Sequence, residues 1–121
     1  MRAALRISLC FRRRGSSTAP TLLLALAAGS WPGSDLIASQ VHAVVIEGMA
    51  FNPATLTVEQ GDTVVWINRD LFVHNATAED GAFCSGDLKP GQSWSYRADR
   101  KGEFAYICTL HPTMRATLSV R

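Results

Sequence analysis

A chain of 121 residues has room for one domain and little beyond it. It carries 12 Lys and Arg against 10 Asp and Glu, but setting aside residues 1–38, with five arginines and Asp35, leaves seven basic and nine acidic groups. That remainder has no basic excess, so a nucleic-acid-binding surface is excluded as its main business.

The five arginines (Arg2, Arg6, Arg12, Arg13 and Arg14) precede a short apolar run, TLLLALAAG, which gives way to small and polar residues. A charged start, an apolar stretch of about 7–15 residues and a small-residue exit describe a secretory signal peptide. The run is too short to be a membrane span, which needs about 20 apolar residues, so no stable membrane anchor is expected. Cleavage is placed near Ala38, with Ala28–Ser30 as a second position. Cys10 precedes the apolar run and leaves with it. The run Arg12–Arg14 raises twin-arginine export, although the residues that follow match that signal poorly. Residues 1–38 are thus read as signal peptide and residues 39–121 as the domain.

From there the chain reads as β throughout. VHAVVIEGMAF, TLTVEQ, DTVVWINR, QSWSYRA, EFAYICT and RATLSVR are short runs rich in Val, Ile, Thr and aromatics. FNPA, EQGD, LKPGQ and DRKGE separate them with turn residues. Leu56/Val58 and Trp94/Tyr96/Ala98 alternate with polar neighbours, which gives each strand one buried face. Trp66, Trp94, Phe104 and Tyr106 are expected in the core, and Gly61, Pro90 and Gly91 in turns. Several short strands at this spacing make a β-sandwich or a small barrel. A domain this small buries only a little over about 60% of its unfolded surface, so a bound metal would add useful stability.

Near the end, CTLHPTM puts Cys108, His111 and Met114 at three-residue intervals between two strands. A short connection anchored at both ends holds side chains rigidly. Thiolate and imidazole bind copper strongly, and a thioether supplies a weak, long axial bond. A trigonal site of two histidines and one thiolate lacks one His. His42 stands on the first strand and is expected to face solvent. His74 follows DTVVWIN at a strand end, where it can meet the 108–114 connection, and it is the better candidate. Two cysteines in an exported domain also allow a rival, a metal-free interaction module closed by a Cys84–Cys108 disulfide. Cys84 is otherwise expected to be an exposed thiol. Structural zinc is disfavoured because Met is a poor zinc ligand, and c-type haem is excluded because no C-x2-C-H is present.

GMAFNPATLTVEQGDTVVWINRD, HN, and LKPGQSWSYRADRKGEFAYICTLHPTM, in this order, resemble the cupredoxins, the small blue copper proteins, over Val41 to Arg121. The two-residue gaps on either side of His111, and WINRD followed by HN, are most similar to amicyanin. The resemblance implies an all-β, Greek-key β-sandwich of about six to eight strands holding one type 1 copper. It implies His74, Cys108, His111 and Met114 as ligands, with Asn75 linking the two ligand loops through Thr109. It implies a periplasmic, monomeric one-electron carrier and no enzyme. That carrier would dock transiently through Leu110, His111, Pro112 and Phe72 to a c-type cytochrome or a periplasmic dehydrogenase; methylamine dehydrogenase is the usual partner of amicyanin. A copper delivery or storage protein with the same ligands is the alternative. The chain departs from amicyanin at Leu110, where amicyanin has proline, and at Ala116, where it has glycine. It is also shorter at its N-terminal side, and the missing proline is expected to alter hydrogen bonding at the Cys108 sulfur.

Overall fold

The computed structural model describes Gly29 and residues 38–121. Residues 1–28 and 30–37, which carry the expected export signal and Cys10, lie outside the described residues. The described residues form eight strands and no helix: Val41–Glu47 (β1), Ala50–Asn52 (β2), Thr55–Val58 (β3), Thr63–Asn68 (β4), Thr77–Ala78 (β5), Ser93–Arg97 (β6), Gly102–Cys108 (β7) and His111–Val120 (β8). They make two four-stranded sheets, ordered β2-β1-β4-β6 and β3-β8-β7-β5. β1 runs parallel to β4, and β3 parallel to β8, while the other neighbours are antiparallel. The chain passes repeatedly from one sheet to the other, as in a Greek-key sandwich.

Period-two alternation builds the interior as the sequence implies. Val64, Trp66 and Asn68 of β4 point inward, as do Phe104, Tyr106 and Cys108 of β7 and Met114, Ala116, Leu118 and Val120 of β8. Trp66 is fully buried, with Tyr106 set edge-on at 5.6 Å and Phe83 at 5.3 Å between ring centroids. Burial pushes the Tyr106 phenol up to about 12, so this ring acts as packing and not as an acid or base. Trp94 and Tyr96 cover the cluster only in part, because β6 is an edge strand.

Three boundaries differ from the sequence reading. VHAVVIEGMAF is two strands, because Gly48 and Met49 take left-handed φ values of 61° and 59° and fold it into a tight hairpin. β5 was not anticipated, since two residues carry no pattern. β8 begins at His111 and not after Met114, so the turn between β7 and β8 contains only Thr109 and Leu110. These three features shape one pole of the sandwich.

At the opposite pole His42 is half-buried, not solvent-facing as expected. Its Nε2 lies 2.9 Å from Oδ2 of Asp62, a buried carboxylate that also accepts the N–H groups of Gln40 and Glu59 at 2.8 and 3.0 Å. Chiefly the Gln40 N–H, then His42 and the Glu59 N–H, hold the Asp62 carboxyl below its usual range. Because the folded carboxyl binds its proton less tightly than the unfolded one, its contribution is complete above the ordinary carboxylate range and disappears as pH falls through the folded value. Asp62→Asn should therefore lower stability at pH 7 and flatten the acid limb of the stability curve. Urea unfolding of both proteins between pH 2 and 7 checks this, and parallel curves would contradict it.

Candidate metal centre

Alternation along β7 brings Cys108 to the core face at the strand's last residue, where its thiol is fully buried. After the two-residue turn, His111 pairs back with Cys108. The next pair on the ladder is Ile107 with Arg115, so Pro112, Thr113 and Met114 have no opposite number on β7. This bulge turns Met114 inward, where it is buried, and leaves Pro112 and Thr113 outside.

His74 arrives from the other sheet, on the connection that follows β4. Its backbone exchanges two hydrogen bonds with Leu88, at 3.1 and 2.7 Å, and its ring is fully buried. Asn68 secures the same connection from inside, donating to the carbonyls of Phe72 at 2.7 Å and Leu88 at 2.9 Å.

The structure brings three of the four expected ligand groups into one measured cluster. One donor atom each from His74, Cys108 and His111 lie within 4.8 Å of one another. The Cys108 sulfur is 3.8 Å from Nδ1 of His74 and 3.8 Å from Nδ1 of His111. Bonds of about 2.0–2.1 Å to imidazole and 2.3 Å to thiolate, meeting at a trigonal angle, separate N and S by about 3.8 Å. The donor set and its spacing therefore fit a small, soft cation held between two imidazoles and a thiolate.

The His74 ring is oriented by Asp70, whose Oδ2 lies 3.0 Å from Nε2. An ionised carboxylate only accepts, so Nε2 carries the proton and Nδ1 is left with its lone pair toward the cluster. The N–H groups of Met49 and Leu71, at 2.9 and 2.8 Å, and then His74 itself, hold the Asp70 carboxyl below its usual range.

Asn75 and Thr109 meet as the resemblance implies. Asn75 donates to Thr109 Oγ1 at 2.7 Å, and its Oδ1 accepts the Thr109 N–H at 3.0 Å. It also reaches Asp87 Oδ1 at 3.3 Å and accepts from Thr77 Oγ1 at 3.0 Å. Its own backbone N–H points at the Cys108 sulfur, 3.4 Å away, and among the described residues it is the one backbone donor to that sulfur. Cys108 is a free thiol, so the Cys84–Cys108 disulfide of the rival reading is not formed. Cys84 is half-buried and not exposed, with its sulfur 3.7 Å from Thr77 Oγ1.

Of the three clustered side chains only His111 reaches the surface. Leu110 and Phe72 are 48% and 56% exposed, and Pro112 is exposed beside them in sequence. Sequence reasoning missed Leu71, at 86% exposure, and Met49, at 40%, which join the same pole through their bonds to Asp70. It also missed Asp70, Asn68 and Asp87. An acidic residue four positions before a ligand histidine was the available signal for Asp70.

A β-sandwich that closes a buried cysteine sulfur between two imidazoles at one pole is the architecture of a copper-binding electron-transfer domain. The chain belongs to the family described as copper binding proteins, plastocyanin/azurin family, which matches residues 38–121, and copper is its cofactor. It is 34% identical to Paracoccus denitrificans amicyanin over 89 residues, covering 69% of this chain and 68% of that protein. It is 32% identical to chloroplastic plastocyanin of Tetradesmus obliquus over 74 residues, or 52% of this chain, and spans about half of that relative's length (51%). Among solved structures, an amicyanin variant in its Cu(I) form superposes with a TM-score of 0.63 at 32% identity, covering 71% of this chain and 87% of that one.

Asn75 makes three hydrogen bonds to Cys108 and Thr109. Asn75→Ala should lower the stability of the metal-free protein by about 1–3 kcal/mol, the cost of leaving buried partners unsatisfied. Urea unfolding of the metal-free forms measures it, and an unchanged midpoint would show that Asn75 does not hold the segments together.

Proposed function

We propose that this chain is an exported one-electron carrier and not an enzyme. His74 Nδ1, His111 Nδ1 and the Cys108 sulfur would hold one copper ion, with the Met114 thioether as a weaker fourth donor. The observation that carries this reading is the convergence of the three donor atoms with both sulfur-to-nitrogen distances at 3.8 Å. Copper held there supplies a one-electron couple between Cu(I) and Cu(II).

The protein's own residues supply rigidity, dryness and an exit. Cys108, His74 and Met114 are buried, and the backbones of Cys108 and His74 are paired with His111 and Leu88, so these ligands are held before metal arrives. Little rearrangement then accompanies a change of charge, which keeps the activation energy of transfer low. His111, as the one ligand at the surface, is the contact through which an electron enters and leaves. Leu110, Pro112 and Phe72 around it give an apolar surface that sheds water readily and holds a partner briefly, with an interface below about 1,200 Å². A periplasmic redox protein, a c-type cytochrome or a dehydrogenase, fits that contact. The apolar run preceded by arginines in residues 1–38 supports export to the periplasm. Among the described residues no helix is long and apolar enough to cross a membrane.

Adding Cu(II) to the exported protein should produce an intense thiolate-to-copper absorption band in the visible range. That band should bleach on reduction, return on oxidation and be absent from Cys108→Ala. No band in the wild type overturns the reading. A band accompanied by copper loss to a competing chelator within seconds would point instead to copper delivery.

A further inference from the structure

We infer that Asp70 is the positioning residue for His74, and that its negative charge tunes the copper couple through the imidazole while its oxygens tie that ligand to the apolar rim. This rests on the reading of His74 as a ligand through Nδ1. Three donors converge on one side chain. Oδ2 accepts from Nε2 of His74 at 3.0 Å and from the Met49 N–H at 2.9 Å, and Oδ1 accepts the Leu71 N–H at 2.8 Å. The residue is itself held, since its N–H donates to Oδ1 of the buried Asn68 at 2.9 Å. The carboxylate side chain is 11% exposed and the His74 ring is not exposed at all, so water competes poorly for Nε2.

The chemistry has a direction. A carboxylate facing Nε2–H draws that proton toward itself and makes the opposite nitrogen a stronger donor. A stronger donor favours Cu(II) more than Cu(I), so the charge on Asp70 lowers the reduction potential. The same carboxylate selects the tautomer that leaves Nδ1 unprotonated, which readies the site in the metal-free protein. It also joins three pieces of chain: the Gly48–Met49 turn, the Arg69–Val73 connection and the ligand. Met49 is the one non-glycine described residue with a left-handed φ, and its N–H is spent on Asp70. That is a second sign that this corner is built around the carboxylate.

Asp70→Asn keeps the size and one accepting oxygen but removes the charge, and Asp70→Glu keeps the charge. In the wild-type metal-free protein, ¹⁵N NMR of the His74 ring should show the proton on Nε2. In Asp70→Asn the Cu(II) affinity should fall about 10–100-fold, the usual range for a lost partner of a metal-bound histidine. The Cu(I) affinity should fall less. Each tenfold difference between the two losses is a rise of about 59 mV in the potential of a one-electron couple. Asp70→Glu should recover most of both. A purely structural role would lower the unfolding midpoint of the metal-free variant and leave the potential of the folded fraction where it was, which overturns the inference. A wild-type His74 carrying its proton on Nδ1 overturns it too. The tautomer is read without copper, so a wild type that binds no copper sinks the electron-carrier reading separately from the role of Asp70.

Discussion

The site depends on two segments that are 34 residues apart in sequence being held at hydrogen-bond distance by one buried amide. Asn75 follows His74 directly and Thr109 follows Cys108 directly, so the pair of bonds between them fixes the two ligands relative to each other. The pairing of β5 with β7, Thr77 with Ile107 and Ala78 with Tyr106, already joins the chain after His74 to the Cys108 strand. It stops short of the ligands, which could still shift with small sliding of one sheet on the other. Sandwich cores resist such sliding only through side-chain packing, which has no preferred register at the sub-ångström level. Directional hydrogen bonds do. The Asn75 N–H to the Cys108 sulfur adds a third tie along the same line, and this one ends on the ligand atom itself.

Burying that many polar groups in so small a domain is costly unless each is satisfied. Asn68, His74 and Asn75 are all buried, and each has named partners across a different connection. The result is a polar seam at one pole of an otherwise apolar interior, with the aromatic cluster of Trp66, Phe83 and Tyr106 packed in the hydrophobic core beside it. The division of labour follows from the chemistry. Aromatic packing resists compression but specifies direction weakly, while the seam specifies direction and needs a stiff base to act against.

How much of this was legible in the sequence follows the range of each interaction. Cys108, His111 and Met114 are close in sequence and carry soft donor atoms, so CTLHPTM announced them without reference to the fold. The alternation in EFAYIC already placed Cys108 on the same face as Phe104 and Tyr106, and the β-sandwich followed from such runs. His74 was reachable because a strand end is where a second ligand must stand. Asp70 was legible only in part: its place four positions before His74 is in the sequence, but its bond to the Met49 N–H, 21 positions away, forms only in a hairpin that VHAVVIEGMAF does not advertise. His42 was misplaced. Period two in fact sets it on the inner face with Val44 and Ile46, where Asp62, just before the parallel neighbour β4, holds the ring. The start of β8 was hidden by Pro112 and Thr113, which interrupt any alternation while still lying in an extended chain.

The two-residue turn also bears on the sulfur. Leu110 stands where amicyanin has proline, and it therefore has an N–H that a proline would lack. That N–H was expected to change the hydrogen bonding at Cys108; among the described residues the one backbone N–H at the sulfur is that of Asn75. Cys108 and His111 face each other as a pair, which confines Thr109 and Leu110 to the tip of the hairpin. At the rim, Leu110 presents a flexible, half-exposed isobutyl group next in sequence to His111. Its consequence in this structure is at the surface beside His111, while the Cys108–His111 pairing lies behind it.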